Sequence, residues 1–303
     1  MGIYILDDRN ETIEEMKNYA MMARRIVKNK YNTFYNFYYD GIKRNIIEKK
    51  NILDNISTAI DKREFVPYFQ PKYDTKTRKI VSSEALIRWI KPNGEMIPPG
   101  KFIPVAEEMG IIARIDDYMF EAICKQQSLW REKGLNVRPI SVNISRNKLY
   151  EKGFINNYLS IMKQYGVTTE DIQIEITEGS LVKESKVGGN IVNKLRKYGF
   201  EVLIDDFGTG YSSISMIKNI NATKLKIDKS FVDDTTERGK QMLCYIIGMG
   251  KTMNMRTIAE GVETTEQYEF LLKHGCDAIQ GYYFAKPMSA DMYEEYLKSP
   301  IID

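Results

Sequence analysis

The sequence predicts an α/β fold: a (β/α)8 barrel of the TIM type with its first strand antiparallel, preceded by a small α/β fragment and a linker helix. Three observations carry that prediction. Eight short apolar segments recur between residues 65 and 287, most of them separated by stretches with helical spacing. The first two are joined only by the region around DTKTR, too short for a parallel crossover of about a dozen residues, so they form a hairpin. Each strand also carries a polar residue near its C-terminal end, the end at which such barrels do their chemistry.

Taken in order, residues 1–8 hold a short strand, GIYILDD, and a helix follows over 12–28. Thr12 and Glu15 stand at the spacing of a capping box, which starts that helix. The aromatic run TFYNFYY, 33–39, reads as a second strand because rings pack well on a pleated surface. A helix over 41–62 then aligns Ile42, Ile46, Leu53, Ile56 and Ile60 in a narrow stripe, interrupted where Lys49 falls. A strand–helix–strand piece this small buries too little surface to stand alone. The barrel strands are FVPYFQPKYD (65–74), KIVSSEALIRW (79–89), RPISVNISR (138–146) and DIQIEITE (171–178). EVLIDDFG (201–208), KLKIDKSFV (224–232), RTIAEGVE (256–263) and AIQGYYFAKP (278–287) complete them.

Composition narrows the chemistry. With 43% hydrophobic and 28% charged residues in 303, the chain is an ordinary globular protein with ample core. A net charge of +3 gives no case for a nucleic-acid surface, which would need clustered basic residues. No run approaches the 18 or so apolar residues of a membrane span, and MGIYILDDRNET lacks a signal-peptide pattern. Cys124, Cys244 and Cys276 form no CxxC pair and read as thiols of a reducing compartment, so a cytoplasmic location is expected. The one histidine, His274, sits in LLKHGCD, a helix end with Gly275 as its stop, where capping is its expected role. Acid–base chemistry therefore falls to carboxylates, lysine or metal-bound water.

The centre of the pattern is EVLIDDFGTGYSS, 201–213. An apolar run, Val202-Leu203-Ile204, ends in two adjacent carboxylates, Asp205 and Asp206, and a loop with Gly208 and Gly210. Unpaired carboxylates beside a core are costly, so a divalent ion or a hydrogen-bonded network is expected there. Reading the other strand ends adds Glu84, Asn143, Glu175, Lys226, Glu260 and Gln280, with Gln70 from the first strand. Oxygen ligands without histidine or thiolate select hard cations, Mg²⁺ or Mn²⁺ rather than Zn²⁺. Glu84, Asn143, Glu175 and Asp205 could furnish one site, and Asp206 invites a second ion bridged by Asp205. Two such ions about 3.5–4 Å apart suit phosphoryl displacement. Lys226 would then face developing charge, and Arg88 could hold a phosphate bidentately or form a surface salt bridge.

From about residue 62 to its end the chain resembles an EAL domain, the phosphodiesterase of bacterial cyclic di-GMP signalling. The resemblance rests on an ordered set: FQPKYD, EALIRW, VNIS, EITE, DDFGTGYSS, LKIDKSF, AEGVET and QGYYFAKP. It implies metal-dependent hydrolysis of cyclic di-GMP to linear pGpG with two ions, Mg²⁺ or Mn²⁺, per active site. Glu84, Asn143, Glu175 and Asp205 would bind the first ion; Asp205 would bridge to the second, held also by Asp206. Lys226 and Gln280 would order the attacking water, and Glu260 would serve as general base or as partner of the second ion. Gln70, Leu86 and Arg88 would line the substrate site, Arg88 on a phosphate. Glu178 would brace the DFGTGYSS loop, which in this family couples the site to dimerisation, so a homodimer is expected. Many EAL domains instead act as non-catalytic cyclic di-GMP receptors or scaffolds, usually after losing ligands. None of these positions is apolar here except Leu86.

The first 40 residues resemble the end of a GGDEF domain, through GIYILDD, the helix ending AMMARRIVKNK, and YNTFYNFYYD. The Gly-Gly-Asp/Glu-Glu-Phe signature itself is absent from the sequence. The expected division is a GGDEF-like remnant over 1–40, a linker helix over 41–62 and an EAL barrel over 63–303. It implies a piece of a longer GGDEF–EAL protein, whose N-terminal portion could anchor it to a membrane. The segment itself is expected to contact neither a membrane nor a nucleic acid polymer.

Overall fold

The computed structural model describes residues 1–6, 11–27, 34–182, 185–208 and 220–298. Strand β1 (Gly2–Ile3) pairs in parallel with β2 (Asn36–Phe37), and helix α1 (Ile13–Val27) falls between them in sequence. The Thr12 N–H donates to Glu15 at 2.8 Å and the Glu15 N–H to Thr12 Oγ1 at 3.3 Å, the expected capping box. Both strands are shorter than their sequence patterns suggest, and residues 7, 8, 28 and 33 lie outside the described ones. The aromatic run serves ring packing more than a ladder: Tyr38 stacks on Tyr19 of α1 at 4.4 Å, and Tyr4 joins them.

Helix α2 (Asp40–Asp61) buries Ile42 and Ile56 as expected, with Ile52 and Ala59 in place of Leu53 and Ile60; Ile46, Leu53 and Ile60 are half-buried. The C-terminal half of α2 packs on α3 (Pro99–Glu108), and its Ile52, Ile56 and Ala59 merge with the barrel core. That half of the stripe is therefore satisfied within the chain.

The barrel closes with eight strands. They are β3 (Phe65–Asp74), β4 (Ile80–Ile90), β6 (Ile140–Asn143), β7 (Ile172–Thr177), β8 (Glu201–Phe207), β9 (Lys224–Ile227), β10 (Arg256–Ala259) and β11 (Ala278–Ile279). The short β5 (Met96–Ile97) pairs with β4 outside this ring. Strand β3 is antiparallel to both β4 and β11 and closes the ring between them; the other neighbours run parallel. The hairpin arises locally. The Asp74 carboxylate accepts the Lys76 and Thr77 N–H groups, and Arg78 takes a left-handed backbone at φ 54°.

Alternation along the strands sorts the side chains. Ile172, Ile174 and Ile176 of β7, Val202 and Ile204 of β8, and Leu225 and Ile227 of β9 are fully buried in the core shared with the surrounding helices. The opposite faces point into the barrel. There Leu203, Ile258 and Ala278 form a separate small apolar cluster, surrounded by buried polar residues such as Lys72, Ser141, Glu175 and Lys226.

The last three strands, like β6, are shorter than expected. After β9 the chain turns into α9 (Lys229–Asp233), capped by the Asp228 carboxylate on the Ser230 N–H at 3.0 Å, so 228–232 is not strand. Strands β10 and β11 stop at Ala259 and Ile279, leaving Glu260 and Gln280 just beyond them. Gly261, at φ 67°, turns the backbone away in a conformation that favours glycine. His274 closes α11 (Thr265–His274), with Nδ1 at 2.7 Å from the Phe270 carbonyl and Gly275 left-handed behind it. The three cysteines are free thiols, two of them buried. Among the described residues no helix is long and apolar enough to cross a membrane.

Candidate active site

The strand ends converge on one buried ammonium. Lys226, inward on β9, lies 2.6 Å from Glu260, 2.9 Å from Asp205 and 3.2 Å from Glu84, and it contacts Glu175. Glu84 comes from β4, Glu175 from β7 and Asp205 from β8, so with β9 itself four strands build the cluster. Asn143, at the end of β6, donates its amide to Glu84 at 2.8 Å; half a turn of that amide presents its oxygen instead. Gln280 donates to both Gln70 at 3.0 Å and Glu84 at 2.8 Å, tying the β3–β4 hairpin to the end of β11, its neighbour in the ring. Gln70 faces Glu84 directly across the β3–β4 pair.

Asp205 and Asp206 reach the same pocket although neighbours on a strand normally point to opposite faces. The pairing of β8 with β9 shifts register between Ile204 and Phe207, and Asp206 adopts φ 53°. The strand thus bulges where its two acids are needed.

Two oxygen groups result. Glu84, Glu175 and Asp205 can each offer an oxygen within 4.8 Å of the others, and so can Asp205, Asp206 and Glu260. The donors are all hard oxygens and Asp205 belongs to both groups, which fits a pair of divalent cations. Electrostatics points the same way. Burial raises the pKa of Glu84, with Glu175 adding to it. Burial would raise Glu175 too, but the Lys226 and Lys72 ammoniums together bring it down to about 2. Glu260 is pushed up to about 8 by burial and by Asp205 and Glu84, despite Lys226. Asp206, nearer the rim, is raised by partial desolvation and by Asp205. Burial alone would lower Lys226; its carboxylate neighbours hold it well above the usual lysine range. So many carboxylates around one ammonium leave a deficit of positive charge.

Toward the mouth, Leu86 and Arg88 follow Glu84 on the same face of β4, both half-buried. The Arg88 guanidinium lies 5.4 Å from the Tyr68 ring centre and donates to the Ile87 carbonyl at 2.8 Å; it makes no salt bridge among the described residues. Glu178 begins α7 (Glu178–Val182) and accepts the Gly208 N–H at 2.8 Å. Residues 209–213 of the DFGTGYSS loop lie outside the described residues.

Sequence reasoning passed over Lys72. It points inward from β3, is fully buried, and contacts both Ser141 at 2.7 Å and Glu175. The signal was present: Lys72 lies two residues after Gln70, on the same face of the strand.

A closed barrel whose mouth gathers five carboxylates and several amides, with no thiol or imidazole among them, offers a set of oxygens that could hold hard divalent cations. The chain belongs to the EAL domain family, whose pattern it matches over residues 53–287. It is 34% identical over 292 residues to the signaling protein YkoW of Bacillus subtilis, covering 96% of this chain and 36% of that protein. To the bifunctional diguanylate cyclase/cyclic di-GMP phosphodiesterase MucR of Pseudomonas aeruginosa it is 30% identical, covering 96% of this chain and 43% of that one. The solved structure of the PaMucR phosphodiesterase in complex with c-di-GMP superposes with a TM-score of 0.76 at 31% identity, over 80% of this chain and 99% of that one. The chain thus spans less than half the length of these two curated relatives.

Proposed function

We propose that this chain is a metal-dependent phosphodiesterase that hydrolyses cyclic di-GMP to linear pGpG. The observation that carries the reading is the convergence of Glu84, Glu175, Asp205 and Glu260 on Lys226 at the mouth of an EAL-family barrel. Glu84, Asn143, Glu175 and Asp205 would hold one divalent cation, Mg²⁺ or Mn²⁺, and Asp205 with Asp206 a second. When bound, the ions supply Lewis-acid polarisation of the attacking water and charge neutralisation at the phosphoryl oxygens. The protein's own groups do the rest. Arg88 orients a phosphate of the substrate from the mouth, beside Leu86 and Gln70. Lys226 holds positive charge against the developing negative charge. Gln280 keeps Glu84 and Gln70 in register through its amide nitrogen. Glu260 lies within the second oxygen group and within reach of Lys226, so it can take up a proton or complete that group.

The reading extends to the rest of the chain. Residues 1–40 are a C-terminal remnant of a GGDEF-like domain, 41–62 the linker helix and 63–303 the EAL barrel. A homodimer belongs to it as well, supported by the family resemblance alone, and light scattering over a range of concentrations tests it.

The deciding experiment incubates the purified chain with cyclic di-GMP and Mn²⁺ and separates the nucleotides, with EDTA as control. Metal-dependent appearance of pGpG is expected. Tight binding without product would make the chain a receptor, and neither binding nor product would overturn the reading altogether.

A further inference from the structure

We propose that Lys72 is a positioning residue for the metal site, fixing the Glu175 carboxylate from the side that a bound cation does not use. The inference rests on the metal-dependent reading above. Glu175 is 0% exposed, and each of its two oxygens meets a different lysine: Oε2 meets Lys226, and Oε1 meets Lys72. The two lysines are not equivalent. Lys226 also touches Glu84, Asp205 and Glu260, so a cation between Glu84, Glu175 and Asp205 must compete with it for the same oxygens. Among the described residues Lys72 contacts only Glu175 of the acids, and its other partner is the Ser141 hydroxyl at 2.7 Å. Ser141 in turn donates to the Ser83 carbonyl at 3.2 Å, so the contact is anchored on β4, β6 and β7 together.

The surroundings argue that Lys72 is there for more than filling space. Inside the barrel Leu203, Ile258 and Ala278 are apolar, so the interior accepts hydrocarbon. A lysine at 0% exposure carries a large desolvation cost that an apolar side chain of similar length would avoid. What the lysine supplies is a directional donor on a ligand oxygen. If a cation took the place of Lys226 at Glu175 Oε2, the Lys72 contact at Oε1 would still hold the carboxylate in its orientation. Groups that orient metal ligands in this way commonly change metal affinity about 10–100-fold when removed.

The sign of the effect separates positioning from plain charge balance. Removing a cation near the site should tighten binding of a divalent ion if Lys72 acts only through its charge. It should weaken binding if Lys72 orients Glu175. The test measures Mn²⁺ binding to the full chain without nucleotide, by electron paramagnetic resonance of free Mn²⁺, in the wild type, Lys72→Met and Ser141→Ala. Lys72→Met is expected to weaken Mn²⁺ binding about tenfold or more, and Ser141→Ala by a smaller factor of the same sign. Unchanged or tighter binding in the folded variants would overturn the proposal. Should Lys72→Met not fold, Ser141→Ala decides by the same criterion. A wild type that binds Mn²⁺ but leaves cyclic di-GMP intact refutes the hydrolase reading and leaves this comparison valid. A wild type that binds no Mn²⁺ overturns both.

Discussion

Asp206 donates its backbone N–H to the carboxylate of Asp205 at 2.9 Å while its own backbone sits in the left-handed region at φ 53°. A non-glycine residue there costs about 1 kcal/mol or more, least for Asp and Asn. The strain brings adjacent acids into one pocket, where regular pleating would have sent one of them outward. Asp206→Gly removes the strain together with the second carboxylate. Its stability should stay within about 1 kcal/mol of the wild type, because backbone relief offsets lost contacts. Turnover of cyclic di-GMP should fall about a hundredfold or more. Chemical denaturation beside the hydrolysis assay checks both halves, and a variant that keeps its rate would remove Asp206 from the site.

Glu178 is coupled to the end of β8 through the Gly208 N–H at 2.8 Å, a carboxylate-to-backbone bond of the stronger kind. Losing it should cost about 1.5–3 kcal/mol locally at a junction that also carries Asp205 and Asp206. Glu178→Ala should therefore require more Mn²⁺ for half-maximal activity, by about tenfold, with the barrel still folded. Activity against Mn²⁺ concentration, with circular dichroism as the fold check, reads this out. An unchanged metal requirement would reduce Glu178 to a helix-start residue.

Much of this was legible because barrel strands alternate. The inward residues Glu84, Asn143, Glu175 and Asp205 follow from strand boundaries that an apolar run already marks. The antiparallel first strand followed from the short DTKTR connection, and the Asp74 turn explains it. Other features were not legible. The bulge at Asp206 depends on a register shift with β9, a long-range pairing that leaves no local trace. Residues 228–232 read as strand because their apolar content ignores the Asp228 cap. Lys72 was passed over because only the ring of strands places it at Glu175. On α2, Ile52 and Ala59 are buried in place of Leu53 and Ile60 because α3 and the barrel core cover its C-terminal half.

Lys226 holds four carboxylates that would otherwise repel one another at close range. Removing one partner from a buried ion cluster typically costs about 3–5 kcal/mol. In EDTA, Lys226→Met should melt well below the wild type. Added Mn²⁺ should recover most of that loss, since a divalent cation replaces the missing positive charge among the same oxygens. Turnover should not recover, staying about a hundredfold or more down. Melting curves in EDTA and in Mn²⁺ separate these effects, and an equal deficit in both would mean that ammonium and cation do not share a site.

Asp116, on helix α4 (Ile112–Glu132), is buried behind the site and accepts the Ser145 N–H at 3.1 Å, two residues beyond Asn143. Burial pushes its carboxyl up to about 7, far above the roughly 3.9 of an unfolded chain. The folded state therefore holds a proton that the unfolded state has lost between about pH 4 and pH 7. Stability from this group falls as pH rises through that window, and the penalty is complete above about 7. Asparagine keeps an oxygen for the Ser145 N–H and has nothing to ionise. Asp116→Asn should thus differ little from the wild type near pH 4.5. It should be more stable by on the order of 2 kcal/mol at pH 8, where the wild type carries a buried charge. Urea unfolding of both proteins at the two pH values measures the gap. A gap independent of pH would mean that Asp116 is ionised throughout, its charge held by the Ser145 bond and by Lys148 nearby.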